Sequence, residues 1–221
     1  RSDMESGRKD AEEQISGCKS HKAKAAEYII EKNMYWMVYM AKNTGVITND
    51  CAMAGIKPAM LELPYPLIQV RCRNRDYAEL LTVDYCGAVS ELSAITQYIN
   101  NQNRMACEKC SFAKMILAIA MAEMMHLQKL GELIDLLGGE VDYSAMQPSG
   151  KQKLWTPAFL TLSGNIRKML CAGIESEKGA IMQYRNHISM IKDDCVNAVL
   201  LRIIKDEEYH ILLLQALMEE L

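Results

Sequence analysis

The chain is poor in the residues that break helices and build sheets. Only 5 prolines, 12 glycines and 2 phenylalanines stand in its 221 residues, and aromatics make up 6 %. A sandwich or barrel needs many turns and a supply of strand-forming side chains, so that class is excluded. Charge of one sign is also lacking. A net charge of −3 without a basic stripe offers a polyanion nothing to bind, which argues against nucleic acid as a partner. No apolar run approaches the roughly 20 residues that cross a bilayer, so no membrane partner is expected. The opening residues, Arg1 to Glu5, carry no apolar signal segment. The eight cysteines (18, 51, 72, 86, 107, 110, 171 and 195) are irregularly spaced, and several fall inside apolar helical stretches. They are expected to be reduced thiols of a cytoplasmic protein.

What is present is helical. Half of the residues are apolar, and methionine is plentiful at 16. Four long helices are predicted: from about 74 to 100, from about 107 to a stop at Gly138-Gly139, from a Thr156-Pro157 cap to about 191, and from an Asp193-Asp194 cap to the chain end. Short links join the first helix to the second and the third to the fourth, and a long polar link joins the two pairs. That connectivity predicts an all-α bundle of two antiparallel hairpins with one crossover. Residues 1–73 differ. An amphipathic helical arm over about 9 to 42 precedes a loop and an extended lead-in rich in glycine and proline. The expected organisation is an arm and lead-in over 1–73 and a bundle over 74–221.

The two hairpins repeat each other. Gly87, Glu91, Ala94 and Tyr98 recur at an offset of 86 as Gly173, Glu177, Ala180 and Tyr184. Glu123, His126 and Leu130 recur at an offset of 84 as Glu207, His210 and Leu214. At helical spacing each set shares one face, and each glutamate is expected near the middle of its helix on an otherwise small or apolar stripe. Four carboxylates and two imidazoles would therefore converge in the core. Buried together without partners, the carboxylates would repel strongly, and no lysine or arginine lies on those stripes. Two divalent cations would balance them. In each Glu-x-x-His the two side chains stand one turn apart and can reach one ion. Oxygen and imidazole donors favour iron or manganese, with zinc possible. The small residues Gly87, Gly173, Ala94 and Ala180 are expected to leave room for an oxidant.

These residues resemble the ferritin-like di-metal carboxylate superfamily, most closely its rubrerythrin group, over about 74–221. The lead-in Leu63-Pro64-Tyr65-Pro66-Leu67 is more weakly similar to manganese catalases. The resemblance implies that Glu91 and His126 hold one ion, Glu177 and His210 the other, and that Glu123 and Glu207 bridge them. It implies tyrosines hydrogen-bonding near the site, here Tyr98 and Tyr184. It also implies an Asp before a bridging Glu that reaches the opposite histidine. Asp206 is placed to serve His126, whereas its repeat-mate Ala122 has nothing to offer His210.

Two features depart from rubrerythrins: Ala180 stands where a further glutamate is usual, and no pair of Cys-x-x-Cys motifs provides a rubredoxin module. The implied function is peroxide reduction or O2 activation at two iron ions with an external electron donor. The alternatives are disproportionation of peroxide at two manganese ions and ferroxidase or iron storage. A homo-oligomer, dimer or larger, is implied as well. Three weaker features remain. Cys107-x-x-Cys110 could be redox-active or join Cys18-x-x-His21 in a second metal site; His187 is expected at the surface or an interface; and Asp84 could line a metal or proton path.

Overall fold

The computed structural model describes residues 51–146 and 150–221. The arm expected over about 9 to 42, with Cys18 and His21, lies outside them. Five helices follow an extended strap over residues 51–73: α1 (Arg75–Cys86), α2 (Glu91–Met105), α3 (Cys110–Leu137), α4 (Ile166–Met190) and α5 (Asp194–Glu219). The long crossover between α3 and α4 carries a short hairpin, β1 (Ser144–Met146) with β2 (Gln152–Leu154), and a single 3-10 turn over Pro157–Phe159. α2 packs along α3 and α4 along α5, with α1 against α3, which gives the expected all-α bundle of two hairpins.

Local chemistry sets the helix ends. Asp193 caps α5 by accepting from the N–H groups of Cys195 and Val196. Gly138 stops α3 in the left-handed conformation, with φ of 86°.

The first predicted helix is two helices. At Gly87 the backbone turns out of the helix, and a Cβ built there would lie 2.5 Å from the Val83 carbonyl oxygen. The hydroxyls of Ser90 and Ser93 both donate to the carbonyl of Gly87, at 2.8 and 2.9 Å. Ser90 then caps α2 by accepting from the Ser93 N–H. Serines that bind nearby backbone compete with helix, and here they win. Glu91 therefore lies in the first turn of α2, not mid-helix. Gly87 serves the break and does not open space beside a ligand.

The third predicted helix starts late. Thr156 and Pro157 open only the 3-10 turn, and the long helix begins at the Asn165 cap. Between them the chain is held extended by α2: Thr161 N–H donates to Gln97 at 2.7 Å and Arg104 to the Ser163 carbonyl at 3.3 Å.

Two further expectations are corrected. Helix α3 is long and apolar enough, by length and composition alone, to cross a membrane. As the central helix of the bundle it faces neighbours on several sides, and half of that apolar window is buried. Cysteine 110, expected as a free thiol, forms a disulfide with Cys51, because the strap passes the start of α3 there. Its sulfur is thus unavailable for a redox pair with Cys107 or a second metal site, while Cys107 is free and exposed.

The apolar core falls into two clusters. One holds Tyr98, Phe112, Ile116, Ile119 and Leu214; the other holds Leu81, Leu130, Leu133, Tyr184 and Ile203. Along α3 the break between them falls at Glu123 and His126, and along α5 at Glu207 and His210. A polar layer divides the core.

Candidate metal centre

All six candidate ligands, Glu91, Glu123, His126, Glu177, Glu207 and His210, are buried in that layer. α2 and α4 each contribute one glutamate, and α3 and α5 each a Glu-x-x-His pair. Their donor atoms form two groups, each within 4.8 Å of one another: Glu91, Glu123, His126 and Glu207, and Glu123, Glu177, Glu207 and His210. Glu123 and Glu207 belong to both. Glu123 sets Oε2 2.8 Å from His126 Nδ1 and Oε1 3.1 Å from His210 Nδ1. Glu207 sets Oε1 3.1 Å from His126 Nδ1 and Oε2 3.1 Å from His210 Nδ1. Each of these carboxylates spans both imidazoles.

The outer ring nitrogens fix the imidazoles. His210 Nε2 lies 2.8 Å from the carbonyl oxygen of Ala59. A carbonyl only accepts, so Nε2 carries the proton and Nδ1 is free to present a lone pair to the centre. His126 Nε2 lies 3.2 Å from Asp206 Oδ2 and is fixed the same way by a charged acceptor. Asp206 is itself held on every side. It accepts from Leu61 N–H at 2.9 Å and from the Tyr65 hydroxyl at 2.7 Å, and Arg202 approaches to 2.7 Å. Arg202 also donates to the carbonyls of Leu61 and Leu63.

The strap over residues 59–65 thus supports both histidines. Ala59, Leu61 and Arg202 escaped sequence reasoning. Two of them act through backbone atoms, which leave no side-chain signature, and Arg202 was findable only by its four-residue spacing from Asp206. Tyr65 was visible within the Leu63-Pro64-Tyr65-Pro66-Leu67 motif, but its bond to Asp206 was not.

The tyrosines cross over. Tyr98 on α2 donates to Glu177 on α4, and Tyr184 on α4 donates to Glu91 on α2. Gly173 gives Tyr98 its space, since a Cβ there would lie 3.3 Å from the Tyr98 hydroxyl.

Electrostatics separates the four carboxyls. Burial, together with the charges of Glu123 and Glu207, pushes Glu91 and Glu177 well above the usual carboxylate range. Burial would raise Glu123 and Glu207 too, but their contacts with the two imidazoles outweigh it and hold both low. Burial opposes charge on the imidazoles, and the same carboxylates overcome it, raising His126 and His210. Burial also raises Asp206, but the bonds from His126, Arg202, Leu61 and Tyr65 bring it down to about 2.

Two buried oxygens, Glu123 Oε1 and Glu207 Oε1, accept no hydrogen bond despite their closeness to ring nitrogens. Buried carboxylate oxygens left this way are costly. Two divalent cations between them would satisfy both oxygens and balance four negative charges, so the donor set fits a dinuclear metal pair.

His187, expected at the surface or an interface, is buried within the chain, with its Nδ1 2.7 Å from Asp84. It is not at the surface because α1 continues to Cys86 and covers that flank of α4.

A doubled hairpin closing on four carboxylates and two imidazoles defines the class of helical bundles able to bind two metal ions. A family model described as a ferritin-like domain matches residues 90–221, and the chain belongs to that family. A probable manganese catalase of Clostridium acetobutylicum is 26 % identical over 160 residues, spanning 65 % of this chain and 70 % of its own length. The manganese catalase KatB from Anabaena superposes with a TM-score of 0.64 at 23 % identity, covering 72 % of this chain and 78 % of that one. The bacterioferritin BfrA of Mycobacterium tuberculosis superposes with a TM-score of 0.53 at 23 % identity, covering 67 % of this chain and 87 % of that one. At such identities the two structures establish the fold.

Proposed function

We propose that the chain is a dinuclear-metal oxidoreductase acting on hydrogen peroxide, and that it disproportionates peroxide at a manganese pair. Glu91 and His126 would hold one ion, Glu177 and His210 the other, with Glu123 and Glu207 shared between them. One observation carries the reading. The lead-in over residues 63–67 that resembles manganese catalases in sequence is part of the strap behind the histidines: its Tyr65 bonds Asp206, which holds His126, while Ala59, a few residues earlier, holds His210. The likeness to the Clostridium protein, a probable manganese catalase, supports it.

The metal pair would supply two-electron redox chemistry. The protein does the rest. Ala59 and Asp206 hold the imidazoles in the tautomer that binds metal, and Tyr98 and Tyr184 hold the outer carboxylates from across the bundle. The two apolar clusters keep bulk water from the layer. Disproportionation takes two electrons and two protons from one peroxide molecule and gives them to a second, so no outside donor is needed.

A rubrerythrin-like reading, reduction of peroxide or activation of O2 at two irons, is favoured by a donor set that suits iron as well as manganese. It requires an external electron donor. Ferroxidase or iron-storage chemistry is related to it through the bacterioferritin likeness. Assembly as a homo-oligomer, a dimer or larger, is part of either reading. An oxygen electrode separates them. Manganese-loaded protein should evolve O2 from peroxide without reductant; iron-loaded protein of the second kind should oxidise once and stall until a donor is added.

A further inference from the structure

We propose that Asp84 and His187 form a proton relay between the metal layer and the outside on this side of the bundle. The proposal rests on the di-metal reading above.

The pair is buried and lies off the ligand set: Asp84 is 1 % exposed and His187 5 %. His187 Nδ1 meets Asp84 Oδ2 at 2.7 Å. Gln183 fixes the other Asp84 oxygen, donating to it at 2.8 Å and to the Val89 carbonyl at 2.9 Å. Each partner faces a different space. Inside, Asp84 and Gln183 share a cavity with Glu91, Glu177, Tyr184 and Glu207, with about 10 Å³ open to the centre of a water molecule. That is room for about one water. Outside, His187 lines a cavity of about 390 Å³ with Asp76, Glu79 and Asn186. The imidazole and carboxylate thus stand between the two spaces, and a proton can pass between them through the hydrogen bond already in place, with a water in the inner cavity completing the path to Glu91. The charged and titratable groups around the pair are Asp76 and Glu79 on the outer side and Tyr184, Glu91, Glu177 and Glu207 on the inner side. The break at residues 87–90 shapes the inner cavity, since Val89 and Ser90 line it.

The internal repeat supplies a control. At the 86-residue offset the mate of Asp84 is Leu170 and the mate of His187 is Asn101, and both are buried. The opposite half therefore packs without a carboxylate–imidazole pair. Replacing both partners of a buried polar pair by packed residues is often nearly neutral or stabilising. Stability alone thus gives no reason to keep Asp84 and His187, whereas a proton path does. In disproportionation, the oxidised peroxide gives up two protons as it becomes O2, and the reduced one takes up two as it becomes two waters. The relay carries them and changes no electron count.

The test uses the whole chain with Asp84→Asn, with His187→Ala, and with Asp84→Leu combined with His187→Asn, which copies the packing of the opposite half. Metal loading of the apo-protein displaces protons, so stopped-flow mixing with Mn²⁺ and a pH indicator reads proton release without turnover. Every variant should reach the same final manganese content as wild type but release protons roughly 10- to 100-fold more slowly. Added imidazole should restore the rate in His187→Ala and not in Asp84→Asn. In peroxide turnover kcat should fall while KM holds. Wild-type proton release in the double variant overturns the relay. So does slowed release in His187→Ala that imidazole leaves slow, the behaviour of a lost ion path or a disturbed fold. If wild type binds manganese but leaves peroxide intact, the peroxide reading falls and the proton-release arm still decides the relay.

Discussion

His126 Nε2 meets the carboxylate of Asp206 at 3.2 Å, whereas its repeat-mate His210 meets only the neutral carbonyl of Ala59, at 2.8 Å. A charged acceptor makes an imidazole the stronger ligand, so the two half-sites of the proposed centre should be unequal. Asp206→Ala should weaken the His126 half-site by roughly 10-fold or more and bring the two affinities together. Competition of each ion against a chromophoric chelator measures this. Two affinities that differ as much after the substitution as before it would count against the assignment.

The shared carboxylates give a sharper pattern. Glu123→Ala removes a donor common to both groups and should abolish binding of both ions, while Glu91→Ala should spare the Glu177–His210 side. Elemental analysis after anaerobic loading distinguishes none, one and two ions per chain. Retention of both ions by Glu123→Ala would rule out the shared role.

The crossed tyrosines predict crossed effects. Tyr98→Phe should perturb the Glu177 half-site and Tyr184→Phe the Glu91 half-site, each against the grain of its own helix. Each lost bond should cost about 0.5–1.5 kcal/mol in apo-protein stability, readable by urea unfolding. An effect of Tyr98→Phe confined to the Glu91 side would contradict the pairing.

Asp206 and Asp84 should give opposite pH signatures. The folded pKa of Asp206, about 2, lies below the ordinary value of about 3.9. Its contribution is therefore fully present above about pH 4 and is lost as pH falls toward 2. Asp206→Asn should be less stable than wild type at neutral pH, with the gap closing through that window. Burial raises Asp84 despite its bonds to His187 and Gln183. Its contribution is present below the ordinary carboxylate value and is lost as pH rises through its folded pKa. Asp84→Asn should thus gain on wild type with rising pH. Urea unfolding from pH 2 to 8 reads both, and parallel curves for wild type and Asp206→Asn would refute the first.

Much of this centre is written in side chains with helical spacing, which is why it could be read. Glu123, His126, Glu207 and His210 fall on buried stripes that a 3.6-residue period predicts, and the offsets of 86 and 84 set the two halves in register. The reach of Asp206 to His126 is implied by the family resemblance, not by spacing. What stayed hidden lies in backbone and tertiary contact. The break before Glu91 depends on two serines choosing the Gly87 carbonyl over the helix. The late start of α4 depends on Gln97 and Arg104 from another helix. Ala59 acts through its carbonyl, and the Cys51–Cys110 link depends on where the strap runs. His187 went inside because α1 covers it, a packing fact that no local period records.

The most direct test of the central claim is a count of metal per chain. Apo-protein should be titrated anaerobically with Mn²⁺ or Fe²⁺ and bound metal measured by elemental analysis. Two ions per chain are expected for wild type and none for Glu123→Ala. A well-folded wild-type chain that takes up no metal would contradict the claim.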